Sequence, residues 1–318
     1  MPVEVISLGE ALIDFISLES GVSLEEAPGF EKCPGGAPAN YAVACSRLGL
    51  PTGFIGKVGD DAFGRFLVKT LADRGVDVSQ VAYSEHRTAL AFVSIADDGE
   101  RHFMFYRRPC ADVMLEEKDI DADYISDSRM LHFGTVSLSE SPSREATLRA
   151  VELASGSGVN VSFDPNIRFH LWPKTREEIK EEVISVARRC DTFLPSQEEA
   201  EFLSGMDVEG ALEEFLTWGP RTVCIKLGAK GCIAGDRSGT VSVPGIKAKA
   251  VDATGAGDGF DAGFTLGILR GKDLGTSALL GNAVGSLVVR KRGAMTSLPT
   301  LAEVEALVRE TRMARSPG

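Results

Sequence analysis

Apolar residues recur along this chain in two ways, as short continuous runs and as longer stretches with helical spacing. Val3-Glu4-Val5-Ile6-Ser7-Leu8-Gly9 predicts a first strand. Residues 10–16 continue in extended form, with Asp14 as a charge inside an otherwise apolar stretch. Residues 39–48 are Ala-rich and closed by Gly49 and Pro51, which predicts a helix. Residues 54–64 read as strand, turn and helix start, with Asp60 or Asp61 as the cap, and that helix runs through Leu67 and Leu71 to Gly75. Residues 88–95 and 101–106 flank Asp97-Asp98-Gly99-Glu100 and predict a hairpin. Two apolar runs, 130–134 and 159–164, enclose a helical stretch at 144–154, a spacing that predicts parallel pairing. Residues 191–201 predict a short strand running into an acidic helix start, and 222–228 a buried strand before the turn Gly228-Ala229-Lys230-Gly231. Phe260, Phe264, Leu266 and Ile268 mark a helix stopped at Gly271, and 277–289 a small-residue apolar helix. The chain from Arg312 onward reads as a frayed end.

Composition narrows the class. The 318 residues are 43% hydrophobic, ample for a large core, and carry a net charge of −12. That balance argues against a nucleic-acid partner, which needs a basic face. No apolar run is long enough to span a bilayer, and the start lacks the basic and apolar regions of a signal peptide. Cys33, Cys45, Cys110, Cys190, Cys224 and Cys232 show no C-x-x-C spacing. They read as thiols in a reducing cytoplasm rather than as a zinc site.

Candidate chemistry concentrates in two glycine turns that feed helices. Asp252-Ala253-Thr254-Gly255-Ala256-Gly257-Asp258 precedes the helix that begins near Phe260. Uncovered N–H groups and the helix dipole make such a turn an anion site. Asp258 in the first helical turn would be repelled by a bound phosphate unless a substrate hydroxyl lay between them. That arrangement suits phosphoryl transfer, with the N–H groups holding charge and the carboxylate taking the proton. An aspartate that only answers the helix dipole is the plainer reading. Pro34-Gly35-Gly36-Ala37-Pro38-Ala39-Asn40 is the second turn, and Asn40 can donate to and accept from a hydroxyl. Asp164-Pro165-Asn166-Ile167-Arg168 falls at a strand's carboxyl end, where ligands of parallel sheets sit. Arg107 and Arg108 read as a solvated pair. Lys226 reads equally as a phosphate contact or a strand-end lysine.

Both glycine turns resemble signatures of the PfkB/ribokinase family of carbohydrate kinases, and the likeness covers almost the whole chain. The resemblance implies an α/β ribokinase-like three-layer sandwich with a mostly parallel central sheet. It implies one kinase domain over 1–318, with a small β-sheet lid from about 11–33 and 85–110. It makes Asp258 the base and Gly255, Ala256 and Gly257 the anion hole. Asp14, Gly35, Gly36, Asn40, Arg108, Asn166 and Arg168 would hold the sugar. Ser196, Lys226, Gly228, Gly231, Asn282 and the glycines of the central motif would contact ATP. Glu199 would act on Mg²⁺ through water, and Asp252 and Thr254 would lie near a monovalent cation such as K⁺. Ser196 stands where the family usually has Asn. Residues 105–112, residues 164–172 and Ser196 look most like fructokinases. The alternatives are a 2-keto-3-deoxygluconate kinase and a non-catalytic sugar-binding regulator. A cytoplasmic location and pairing of lids in a homodimer complete the expectation.

Overall fold

The computed structural model describes residues 2–95 and 101–315, so the expected turn at 97–100 lies outside the described residues. In chain order the strands are β1 (Val5–Leu8), β2 (Leu12–Ser17), β3 (Phe30–Gly35), β4 (Thr52–Gly59), β5 (Val76–Asp77), β6 (Val81–Ser84), β7 (Leu90–Ile95), β8 (Arg101–Tyr106), β9 (Met130–Phe133), β10 (Asn160–Phe163), β11 (Thr192–Phe193), β12 (Thr222–Lys226), β13 (Gly231–Asp236) and β14 (Gly239–Pro244). The helices are α1 (Ala37–Arg47), α2 (Ala62–Asp73), α3 (Ala122–Ser126), α4 (Ser143–Gly156), α5 (Arg176–Ala187), α6 (Gln197–Ser204), α7 (Val208–Trp218), α8 (Ala256–Leu269), α9 (Leu274–Val288), α10 (Ala294–Ser297) and α11 (Leu301–Arg315).

The main sheet runs β14-β13-β12-β11-β10-β9-β1-β4-β5, with β6 also on β4. From β12 to β5 every pairing is parallel, and β13 and β14 extend the sheet antiparallel. Two apolar clusters cover its faces. One draws on α1, α2, α8, α9 and α11, the other on α4, α5, α6 and α7. This is the expected α/β sandwich. A separate four-stranded sheet, β3-β2-β7-β8, stands beside it.

Local chemistry fixes the elements that matter for the site. Phe133, Phe163 and Phe193 end β9, β10 and β11 in register and stack at 4.9 and 5.7 Å. The chain beyond them emerges together at one rim of the sheet. Helices α8 and α9 pack closely because small residues line their contact: a Cβ at Gly263 would stand 2.7 Å from the Leu280 carbonyl, and one at Gly267 within 2.6 Å of Ser277. Asp61, rather than Asp60, caps α2, accepting from the N–H groups of Phe63 and Gly64 at 2.9 and 2.8 Å.

Two expectations are corrected, and one hairpin adds to them. The chain stays helical through Arg315 instead of fraying at Arg312, because Val304 and Val308 are packed into the core. The hairpin of β13 and β14 carries no clear alternation, since glycines begin and interrupt it. Helix α1 starts at Ala37, two residues early, because Pro38 is tolerated in a first helical turn.

Candidate active site

The two glycine turns converge. Gly255 caps α8 with φ of 77°, and Gly36 precedes α1 with φ of 102°, both in the left-handed region. Asn40 and Asp258, each in an early turn of its helix, meet: Asn40 Nδ2 donates to Asp258 Oδ2 at 2.8 Å. Both side chains are buried, and they line a cavity of about 560 Å³, a size suited to small-molecule ligands.

Burial pushes the Asp258 carboxyl up to about 6; the Asn40 hydrogen bond opposes this and the nearby Asp164 adds to it. A carboxylate with that value accepts a proton readily near neutral pH. At the start of α8, the N–H groups of Gly257 and Asp258 find no protein acceptor among the described residues. The Ala256 N–H is different: it donates to the Ala253 carbonyl at 3.2 Å. The Gly255 N–H also has no protein acceptor among the described residues, so of the span 255–257 only Ala256 is occupied, and Asp258 adds a further open N–H.

The start of α1 differs again. There the Ala37 N–H donates to Glu10 Oε1 at 3.1 Å. Glu10 is a buried acid that the sequence reading passed over. Burial raises its carboxyl to about 7. Its position directly after β1, at a carboxyl end of the sheet, was the available signal. Asp14 lies over Gly35, where a Cβ would come within 2.1 Å of Oδ2, so the glycine makes room for the carboxylate.

Asp14, Gly36, Asn40, Asn166, Arg168, Ser196, Glu199, Lys226, Thr254, Gly255 and Gly257 line the cavity with Asp258. Gly35, Arg108, Gly228, Gly231, Ala256, Asp252 and Asn282 are not among its lining residues. Arg108 donates instead to Glu140 Oε1 and the Leu171 carbonyl, both at 2.7 Å. Arg107, far from solvated, is 3% exposed and holds Asp112 at 2.5 Å, Ser139 Oγ at 2.8 Å and the Val136 carbonyl at 3.0 Å. Asn282 Nδ2 donates to the Val243 carbonyl at 3.0 Å and ties α9 to β14. Asp252 Oδ1 accepts from Thr254 N–H and Oγ1, and its Oδ2 accepts from the Gly293 N–H at 2.8 Å. Arg176 was missed as well. It lines the cavity with its guanidinium 4.1 Å from the ring centre of Phe169, a stacking that only the fold reveals.

Glu199 forms a capping box with Ser196 and also accepts from the Ile167 N–H at 2.7 Å. Both of its oxygens are thus held by the protein. No group of three or more metal-binding side chains occurs among the described residues. A single carboxylate, Glu199, at the cavity wall fits Mg²⁺, which keeps most of its waters and binds mainly through substrate phosphates. Glu199 would hold such an ion through water at the cavity wall.

A buried carboxylate, an open helix start and a cavity at the rim of a parallel sheet fit a phosphoryl-transfer site. The pfkB family carbohydrate kinase description matches residues 3–301, and the chain belongs to that family. It is 44% identical to Fructokinase-1 of Zea mays over 96% of this chain and 97% of that one. A fructokinase from Xylella fastidiosa with bound ATP superposes with a TM-score of 0.88 at 30% identity, covering 98% and 100% of the two chains. A putative ribokinase II from E. coli with ATP and Mg²⁺ gives 0.88 at 29%, covering 97% and 99%. A double mutant of the Vibrio cholerae O395 fructokinase, with fructose, ADP and potassium bound, gives 0.86 at 33%, covering 96% and 98%.

Proposed function

We propose that this chain is an ATP-dependent fructokinase that forms fructose 6-phosphate, with Asp258 as the general base. The observation that carries the reading is the Asn40–Asp258 hydrogen bond inside the cavity, beside the open start of α8. Asn40 holds Oδ2 and leaves Oδ1 to receive the proton of the sugar hydroxyl. The N–H groups of Gly257 and Asp258 stabilise charge on the transferring phosphoryl group. When bound, Mg²⁺ neutralises phosphate charge. Asn40 Oδ1 is a buried acceptor with no protein partner among the described residues, which suits a ligand rich in hydroxyls. Asp14, Gly36, Asn166 and Arg168 complete the sugar side. Ser196, Lys226 and Gly257 form the nucleotide side.

What favours fructose is the likeness to fructokinases along 96% of the chain. A second reading, phosphorylation of 2-keto-3-deoxygluconate, draws on Arg168 and Arg176. Both line the cavity, and neither pairs with a carboxylate among the described residues. ATP consumption with each sugar decides between them; preference for the sugar acid overturns fructose. Asp258→Asn separates an enzyme from a sugar-binding regulator. Turnover should fall at least about a hundredfold while both ligands still bind. Wild-type kcat/KM should drop as pH falls through about 6, where Asp258 gains its proton.

The small sheet contributes Leu12, Asp14, Phe103 and Phe105 to the cavity, which supports its role as a lid over the sugar. Its edge strand β8 exposes Phe103, Met104 and Tyr106, a surface suited to pairing of two lids in a homodimer. Light scattering tests this: a monomer at all concentrations contradicts it. Six cysteines without disulfide partners suit a cytoplasmic location.

A further inference from the structure

Asp261 takes no part in the transfer just described, yet it is a fully buried acid one helical turn from Asp258. It contacts a cation. Lys226 Nζ stands 3.1 Å from both Asp261 oxygens and 2.9 Å from Asp164 Oδ2. The three side chains come from different elements: the end of β10, the last residue of β12, and α8. Since β11 lies between β10 and β12, the ammonium bridges across a strand and fastens α8 to the sheet. The same Nζ is the nearest heavy atom, at 4.0 Å, to where a Cβ at Gly257 would stand. A cation therefore stands close to the first turn of α8, on the cavity side.

Buried ion groups add little stability over apolar packing of the same volume, so stability alone is a poor reason for this one. Placement is a better reason. We propose that Asp164, Lys226 and Asp261 act as one positioning unit that fixes the first turn of α8 and sets the charge around Asp258. This rests on Asp258 being the base. The groups facing Asp258 are Asn40 from α1, Asp164 after β10, Arg168 in the following loop, and Lys226 at the end of β12. Glu10 and His132 line a small adjoining cavity with it. His132 is held neutral by burial, with its value lowered to about 3. Lys226 favours the ionised carboxylate and Asp164 disfavours it, so removing each moves Asp258 in opposite directions. A purely structural role would give no such opposition.

The test is a ¹³C NMR titration of aspartate-labelled protein, which leaves Glu10 silent. Asp258→Asn assigns the resonance. Lys226→Met should move the Asp258 midpoint upward by roughly one pH unit, and Asp164→Asn should move it downward. Lys226→Arg should restore most of the wild-type value, and the double variant Lys226→Met/Asp164→Asn should fall between the singles. Midpoints that stay in place, or that move in one direction for both singles, overturn the proposal. Should Lys226→Met fail to fold, Asp164→Asn and the charge-balanced double variant carry the test. The titration needs neither ATP nor sugar, so a wrong substrate assignment leaves its outcome readable. In active enzyme the acid limb of kcat/KM should follow the same order.

Discussion

The chain builds two glycine turns that feed helices, and they end with opposite fates. At α1 a protein carboxylate takes the first helical N–H, with Ala37 donating to Glu10 at 3.1 Å, and Pro38 has no N–H to offer. At α8 the N–H groups of Gly257 and Asp258 remain without a protein acceptor among the described residues. In the proposed mechanism one turn supplies an orienting amide, Asn40, and the other supplies the base and the anion cup. The difference teaches that a glycine turn before a helix marks an anion site only if no protein carboxylate has filled it. At α1 that carboxylate comes from 27 residues upstream.

The sharpest way to break the comparison is at α8. A Cβ at Gly257 meets nothing closer than Lys226 Nζ at 4.0 Å, so Gly257→Val should fold. Its side chain would cover the cup, and kcat should fall about a hundredfold, the loss typical of removing one such donor. An unchanged kcat would mean that the phosphoryl group sits elsewhere.

The matching change at α1 should act on folding instead. Gly36 has φ of 102°, and a Cβ there would lie 2.4 Å from the Glu10 carbonyl. Gly36→Ala should cost about 2 kcal/mol or more in chemical denaturation. A wild-type midpoint would show that this turn relaxes freely.

The smallest effect concerns Glu10. Unfolded, this glutamate ionises near 4.5, whereas the folded protein holds its proton up to about 7. Between those values the folded state binds more protons, so this group's contribution falls as pH rises through that window. Glu10→Gln removes the ionisation and keeps an acceptor for Ala37. Its melting temperature should gain on wild type more at pH 8 than at pH 5. An equal gain at both values would mean that Glu10 keeps its ordinary ionisation when folded.

Much of this site was legible in the sequence because its signals are local. Asp258, Gly255, Gly257, Gly36 and Asn40 each lie within a few residues of a helix start that hydrophobic spacing reveals. The strand–helix alternation fixed the parallel sheet for the same reason. What stayed hidden depends on contacts between distant segments. Glu10 does not stand out in the extended run 10–16 until its bond to Ala37 is seen. Arg107 reads as solvated until Asp112, Ser139 and Val136 close around it. Asp261 was passed over on the same helix as Asp258, since its partner Lys226 lies 35 residues away. Arg108 misled in the opposite sense, because Glu140 and Leu171 draw it away from the cavity.

The most direct test is a crystal structure with fructose and a non-hydrolysable ATP analogue. The terminal phosphate should accept from the N–H groups of Gly257 and Asp258, with the sugar's primary hydroxyl between that phosphate and the Asp258 carboxylate. A terminal phosphate bound at the start of α1, or an Asp258 side chain turned away from the sugar, would contradict the account.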